Sequence, residues 1–439
     1  MKPFLTWFLG TVFTIFIWGV INYLTTVNGW LLTPLAEPEK IEEFSGALFS
    51  EVEQQYQGNV SALLIKAGRV HDGFNLSKGE LVSNDSVFGV ASLGKWVAAV
   101  GVMTLVEHGK LDLDAPVSDY LTRWQLPPSE FNNEAVTLRL LLSHTAGITD
   151  GLGHDGFPPG TPVQNLVEHL TLAKDADPEV SGKVRVEMEP GSQWMYSGGS
   201  YNLIQLVMEE VSGMAFEHYM QQAVFQPLGM HNTGYHVNRS SPTVAQYFGE
   251  YGELRIYPNY TSLAATGLYS STNDLAKFVI SQMPTSVAGA SSLRVLSDAS
   301  LAIMRQPIAQ VKGTNIWGAG PMLFAPNNHD DFILGHGGQS PMLNASARLN
   351  PATGNAFIML QTGNKNALSS EMAGHWTLWE TGYPDIFILK NTIPQMVQRM
   401  LLGNLFIILL SALLAGVWLF VMKKDTLFAK KEVCPYLNF

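Results

Sequence analysis

The sequence predicts an α+β domain whose one sheet is built from both ends of the domain, with a helical region inserted between the two contributions. Three observations predict it. Short apolar strand patterns stand near residues 60–65 and 87–90, and return over 332–334, 342–349 and 356–360. The long stretch between them carries mainly helical periodicity. Strands, then helices, then strands is the order expected when the two ends of a chain share a sheet. Third, uncharged apolar runs at 4–24 and 400–422 bracket the whole and are each long enough to cross a bilayer.

The elements follow in order. No charge occurs between residues 3 and 36, and Lys2 precedes the run. An uncleaved anchor over 1–36 is favoured over a secretory signal peptide, because the run is long and no small-x-small cleavage site follows. Residues 37–53 are charged and read as a helix. After the first strands, Val97, Val100, Met103, Leu105 and Val106 recur on one side of a helix spanning 92–107. Gly109 suits its left-handed cap. A short helix is expected at 117–121, and 136–142 runs into Ser143-His144-Thr145-Ala146-Gly147. Residues 149–162, rich in Gly, Pro and Asp, form a surface loop of a length that is often functional. A helix over 163–173 should start at Pro162. Another spans 200–211, preceded by an exposed, tightly turned Ser197-Gly198-Gly199 loop, and a turn at 267–278 enters a further helix.

The globular unit is thus expected over 37–398, followed by a membrane helix at 399–422 and a basic tail at 423–439. Lys423-Lys424 and Lys430-Lys431 mark the cytoplasmic side. The chain is then expected in the cell's inner membrane, with both termini cytoplasmic and the domain outside the cytoplasm, in the periplasm. A free thiol, Cys434, is tolerated in such a tail.

Composition excludes several classes. The 439 residues carry a formal net charge of −11 without a basic stripe, which argues against nucleic acid as a partner. One cysteine allows neither an intrachain disulfide framework nor a thiolate metal cluster. No His-Glu-x-x-His, Gly-x-Ser-x-Gly or phosphate-loop motif occurs. Asp150, His154 and Asp155 are three potential ligands in a Gly-rich loop, too few for a metal site without a fourth. The tryptophans and methionines are explained by core and membrane, so no cofactor is expected.

Ser92-Leu93-Gly94-Lys95 is the only Ser-x-x-Lys in the chain and opens the longest apolar helix of the domain. Residues three apart share a helix face, which sets Lys95 beside the Ser92 hydroxyl. The helix start adds unpaired N–H groups and a positive dipole end. A lysine serves as base only when neutral, and burial favours the neutral amine. The pair alone is not specific, since a Ser-x-x-Lys arises readily by chance.

Further segments carry a family likeness. They are Val106-Glu107-His108-Gly109-Lys110-Leu111-Asp112-Leu113-Asp114-Ala115-Pro116-Val117, Leu141-Leu142-Ser143-His144-Thr145-Ala146-Gly147-Ile148, and Pro190-Gly191 with Tyr196-Ser197. Pro227-Leu228-Gly229-Met230, Gly267-Leu268-Tyr269-Ser270-Ser271-Thr272-Asn273-Asp274-Leu275 and Gly335-His336-Gly337-Gly338 follow. Together with Ser92-x-x-Lys95, and in this order, they make the domain resemble the serine β-lactamase and penicillin-binding-protein superfamily, specifically the class C β-lactamase-like serine hydrolases. The resemblance implies a β-lactamase/transpeptidase-like fold with an antiparallel sheet. It implies Ser92 as acylated nucleophile, Lys95 as its base and Tyr196 as the proton shuttle to the leaving group. It matches His336-Gly337-Gly338 to the substrate-edge strand motif, and assigns the oxyanion hole to the backbone N–H groups of Ser92 and Gln339. One position departs from the family: Tyr-x-Asn is here Tyr196-Ser197-Gly198. The family asparagine bonds both the lysine and the acylamino group of the substrate, so its loss puts β-lactam hydrolysis in doubt, and water or a bulkier acyl group would fill the space.

His144 invites a Ser–His–Asp reading, against which the resemblance sets a structural helix end. His336 is either a substrate-edge residue or a hydrogen-bonded strand histidine. The expected activity is hydrolysis of an amide or ester (a peptide, a β-lactam or a small ester) through an acyl-enzyme. The alternatives are a non-turnover acyl-binding receptor, with the membrane spans carrying a signal, and a catalytically dead scaffold.

Overall fold

The computed structural model describes residues 2–148, 152, 154–289, 292–364 and 366–432. The chain divides into two compact units, Pro34–Ile386 and a pair of terminal segments, Met1–Thr33 with Phe387–Phe439.

Within the first unit, strands β1 (Val60–Lys66) and β2 (Arg69–Leu76) form a hairpin near its start. Short pairs β3 (Phe88–Gly89) with β6 (Tyr269–Ser270), and β4 (Tyr247–Phe248) with β5 (Leu254–Arg255), lie in the middle. The last third supplies β7 (Ala309–Val311), β8 (Thr314–Trp317), β9 (Met322–Pro326), β10 (Phe332–Ser340), β11 (Leu343–Asn350) and β12 (Asn355–Thr362). Among the described residues these make one antiparallel sheet of eight strands, ordered β2-β1-β12-β11-β10-β9-β8-β7. The expected union of both chain ends is the β1–β12 pairing, with Val60 opposite Gln361 and Ile65 opposite Ala356.

The sheet is covered on both faces, and its sequences show why. Along Val60-Ser61-Ala62-Leu63-Leu64-Ile65, the residues Val60, Ala62 and Leu64 join one core cluster, while Leu63 and Ile65 join the other. In β12, Phe357 and Met359 point to the first cluster, and Ala356, Ile358 and Leu360 to the second. A period of two therefore feeds two cores from apolar runs that do not alternate with polar residues. Helices α1 (Lys2–Val27), α2 (Ile41–Gln55) and α3 (Gly94–Glu107) come first along the chain. From α2, the residues Ile41, Phe44, Leu48 and Val52 pack into the first cluster. Each buried side chain of this size contributes roughly 1.5–3 kcal/mol.

Helix α3 differs from the one-sided helix its spacing suggested. All residues from Gly94 to Leu105 are buried, so it has no solvent face over its first three turns. The cause is enclosure. The helical insertion is made of α4 (Leu138–Leu142), α5 (Leu166–Thr171), α6 (Gly198–Ser212) and α7 (Phe216–Met220), and α3 packs against it on one side and the sheet on the other. At Gly101 a Cβ would meet Met220 Sδ at 2.3 Å, so the helices touch where the side chain is absent.

Two other expectations shift. The helix expected over 163–173 is Leu166–Thr171, because Asn165 rather than Pro162 caps it by accepting from Glu168 N at 2.9 Å. Ser197-Gly198-Gly199 is not an exposed loop. Ser197 caps α6 by accepting from Ser200 N at 3.1 Å, the glycines form the first turn, and all three are buried. The unit closes with α8 (Thr272–Ser281), α9 (Thr285–Ala288), α10 (Asp298–Arg305) and α11 (Leu368–Thr381).

In the second unit, α1 and α12 (Ile386–Glu432) are long and apolar enough to cross a membrane, with exposed Phe, Leu, Ile and Val along both. Thr11 and Ser411 share a hydroxyl hydrogen bond, and Arg399 donates to Thr26 Oγ1 at 3.0 Å. Residues 387–398, read from sequence as part of the globular domain, lie in α12. Cys434 lies outside the described residues.

Candidate active site

The nucleophile candidate is presented by a strand end. Strand β3 pairs with β6, and Val90 N donates to Leu268 O at 3.0 Å. The chain then turns at Ala91, whose φ of +46° lies in the left-handed region that a residue with a Cβ rarely occupies. A single 3₁₀ turn, Ala91–Leu93, follows and runs straight into α3. Ser92 is only partly buried, whereas Lys95 is 1% exposed. Lys95 Nζ donates to Ser92 Oγ at 3.0 Å and to Ala265 O at 2.7 Å. The spacing of three thus does what the sequence predicted.

Strand β10 lies against this turn. A Cβ on Gly338 would stand 2.0 Å from Val90 O and 3.1 Å from Ser92 N, so only glycine lets the strand come this close. The same approach sets the Ser92 amide nitrogen beside Gly338, the residue before Gln339 in the chain. The Gln339 side chain is exposed and pairs in register with Asn344 of β11. Gly337 is half-buried.

Tyr196 arrives from the segment preceding α6. Its ring centroid is 5.0 Å from Lys95 Nζ, and that of Tyr201, on the first turns of α6, is 5.6 Å away. Tyr196 rests on His144 at 4.4 Å between centroids. His144 is therefore not a free catalytic imidazole. It is 1% exposed, has φ of +58°, and its Nδ1 accepts the Ser197 N–H at 3.0 Å. It seats the tyrosine from below. Trp317 completes the wall, 4.7 Å from His144, 5.7 Å from Tyr196 and 5.4 Å from His336. Trp194 packs against it, tilted by 37°, at 5.8 Å between centroids.

His336 is buried, and its Nδ1–H donates to Gly337 O at 2.6 Å, which leaves Nε2 facing inward as an acceptor. Burial, followed by the charge of Lys95, pushes its pKa down to about 3. The same two causes in the same order hold His144 well below the usual imidazole range. Both rings are neutral at physiological pH, so the strand motif offers hydrogen-bonding atoms rather than a second cation.

The structure corrects one expectation at Gly198. The space left by its missing side chain is not open. His154, from the loop after residue 148, puts Nε2 1.8 Å from where a Cβ on Gly198 would stand. Asp155, next to it, is exposed, and Asp150 of the metal reading lies outside the described residues.

Ser92, Lys95, Tyr196, His336 and Gly338 are thus gathered around one centre, with Gly337 and Gln339 on the same strand as His336 and Gly338. The sequence reading missed Trp194 and Trp317, and weighed His154 only as a metal ligand. Only Trp194 had a local signal, its position two residues before Tyr196. The beta-lactamase family profile matches residues 47–377.

The chain belongs to the β-lactamase family.

This β-lactamase-family chain is 27% identical over 317 residues to penicillin-binding protein 4 of Amycolatopsis lactamdurans, covering 68% of this chain and 77% of that protein. It is 30% identical over 202 residues to penicillin-binding protein 4* of Bacillus subtilis, covering 44% of this chain and 42% of the relative. It is also 30% identical over 165 residues to esterase EstB of Burkholderia gladioli, covering 36% and 40%. Against the Bacillus and Burkholderia relatives the match spans less than half of either protein. Among solved structures, the octameric penicillin-binding protein homologue from Pyrococcus abyssi superposes with a TM-score of 0.63 at 24% identity, over 77% of this chain and 76% of that one. The penicillin binding protein from Bacillus halodurans gives 0.58 at 21%, over 74% and 98%. At those identities the structural likeness speaks for the fold.

Proposed function

We propose that this chain is a serine hydrolase that cleaves an amide or ester through an acyl-enzyme on Ser92. One observation carries the reading: a half-buried hydroxyl 3.0 Å from a buried lysine amine, at the start of a buried helix. Lys95, in its neutral form, takes the hydroxyl proton as Ser92 Oγ attacks the scissile carbonyl. The N–H groups of Ser92 and Gln339 receive the developing oxyanion, each worth roughly 3–4 kcal/mol in related sites. Tyr196, against Lys95, relays the proton to the leaving group. Water then releases the acyl group by the reverse path. The relatives named as penicillin-binding proteins and as an esterase support peptide, β-lactam and small-ester substrates for this chain.

The reading extends to the cell. Two apolar helices and the Lys423-Lys424 and Lys430-Lys431 pairs support a membrane-anchored enzyme in the inner membrane. Its hydrolase domain lies in the periplasm and both ends in the cytoplasm.

Intact-mass analysis of the detergent-solubilised chain, with a fluorophosphonate and with a β-lactam, tests the chemistry. A single phosphonyl adduct is expected on the wild type and none on Ser92→Ala. Labelling of the Ser92→Ala variant at full rate would overturn the assignment. A β-lactam adduct that persists for hours, with no ester turnover, would replace the hydrolase by an acyl-binding receptor.

A further inference from the structure

His154 and Gly198 form a matched pair. Any side chain at position 198 collides with the imidazole, since a Cβ there would lie 1.8 Å from Nε2, 2.8 Å from Cε1 and 2.9 Å from Cδ2. The glycine is therefore the space that the histidine occupies. Both ring nitrogens of His154 are buried and, among the described residues, neither has a hydrogen-bond partner. Ring nitrogens left this way are costly, because they have given up water without gaining a partner.

The chain that follows it is fastened. Asp155 N donates to Asp175 O at 3.2 Å, and Phe157 exchanges backbone hydrogen bonds with Asn259 at 2.7 and 2.8 Å. Asp175 is itself held by buried His169 at 2.6 Å, whose other nitrogen meets Asn202 of α6 at 3.0 Å. So the imidazole is delivered to the start of α6 by a braced backbone. Position 198 is two residues beyond Tyr196, whose ring lies over Lys95. Burial and the Lys95 charge keep the His154 ring neutral, which leaves one N–H donor and one bare nitrogen.

We propose that His154 is a specificity-determining residue of this active site, hydrogen-bonding the acyl side of the substrate from the space over Gly198. The ligand class it selects is an acyl group with a polar atom next to the scissile carbonyl, such as an acylamino or hydroxy acid derivative. The inference rests on the hydrolase reading above.

The test compares kcat/KM for two nitrophenyl esters, butyrate and N-acetylglycinate, on the full chain in detergent. For His154→Ala, the acetylglycinate value is expected to fall about 10- to 100-fold, the worth of one buried hydrogen bond. Butyrate should change less than about threefold, because it presents nothing to bond. The double variant His154→Ala/Gly198→Asn should regain at least half of the loss on a logarithmic scale, since the carboxamide then has room. Equal losses on both esters would reduce His154 to a structural part, and no loss on either would remove it from the site. Both results overturn the inference and leave the hydrolase reading standing, provided the wild type turns over and Ser92→Ala does not. A wild type without ester turnover overturns both.

Discussion

At the scale of single residues, the site depends on one backbone position, Gly338, as much as on its side chains. Gly338 lets β10 touch the turn that presents Ser92, with the Cβ position 2.0 Å from Val90 O. Gly338→Ala must push the strand and Ser92 apart, which on the proposed mechanism moves the Gln339 amide away from the oxyanion. Misplacement of this order costs roughly a hundredfold in rate. The expected outcome is a kcat/KM lower by about that factor toward any ester, with an unfolding midpoint within a few degrees of wild type. Measured kinetics that stay within threefold would show that the strand does not set the oxyanion geometry. Ser92 and Lys95 were legible in the sequence because a spacing of three holds them together, and Tyr196 was legible only through the family likeness of its segment. His154 was not. It meets Gly198 through tertiary folding alone, and a Gly-rich loop carries no periodicity that would aim its histidine.

Individual elements show where local pattern and tertiary context part. The strands over 60–66, 343–350 and 355–362 were legible from apolar runs bounded by turn residues. The expected one-sided α3 was not what folding produced. Between Lys95 and Glu107 the helix carries no charged side chain, and its non-apolar positions are glycine and a threonine that bonds Gly101 O at 2.7 Å. Periodicity named one face, and the absence of a polar opposite face signified full burial. The start of α6 misled for a different reason. A Gly-Gly pair reads as a loop, yet Ser197 caps it as a helix and so fixes the residue next to Tyr196. Ser197→Ala removes the hydroxyl that accepts from Ser200 N, at a cost of about 1 kcal/mol. Calorimetry should show the unfolding temperature falling by a few degrees. Turnover should fall further than stability alone explains, because Tyr196 loses its fixed neighbour. A Ser197→Ala variant with unchanged melting and unchanged rate would deny the cap that role.

For the molecule as a whole, acidity should act through the buried histidines. His154 and His336 have folded-state values near 3, and His144 also lies well below the usual range. In the unfolded chain each titrates near 6.5. Below that pH the unfolded state binds protons that the native state refuses, so stability falls as pH drops from about 6.5 toward 4.5 and is level above 7. Each histidine adds a slope of up to about 1.4 kcal/mol per pH unit. Urea unfolding of the solubilised chain at pH 7.5, 6.0 and 5.0 measures it. His336→Gln should reduce the slope by about one proton's worth. An identical slope in the variant would mean that His336 is protonated in the native state.

The β1–β12 ladder also sets a clock. The ribosome releases Val60 roughly 300 residues before Gln361, a delay of about 15–60 s at ordinary rates of synthesis. During that interval β1 has β2 on one edge and nothing on the other, and its apolar side chains await two cores whose partners do not yet exist. The domain is therefore a late folder by construction, and the nascent chain offers chaperones, or another nascent copy, a bare strand edge until its final strand emerges.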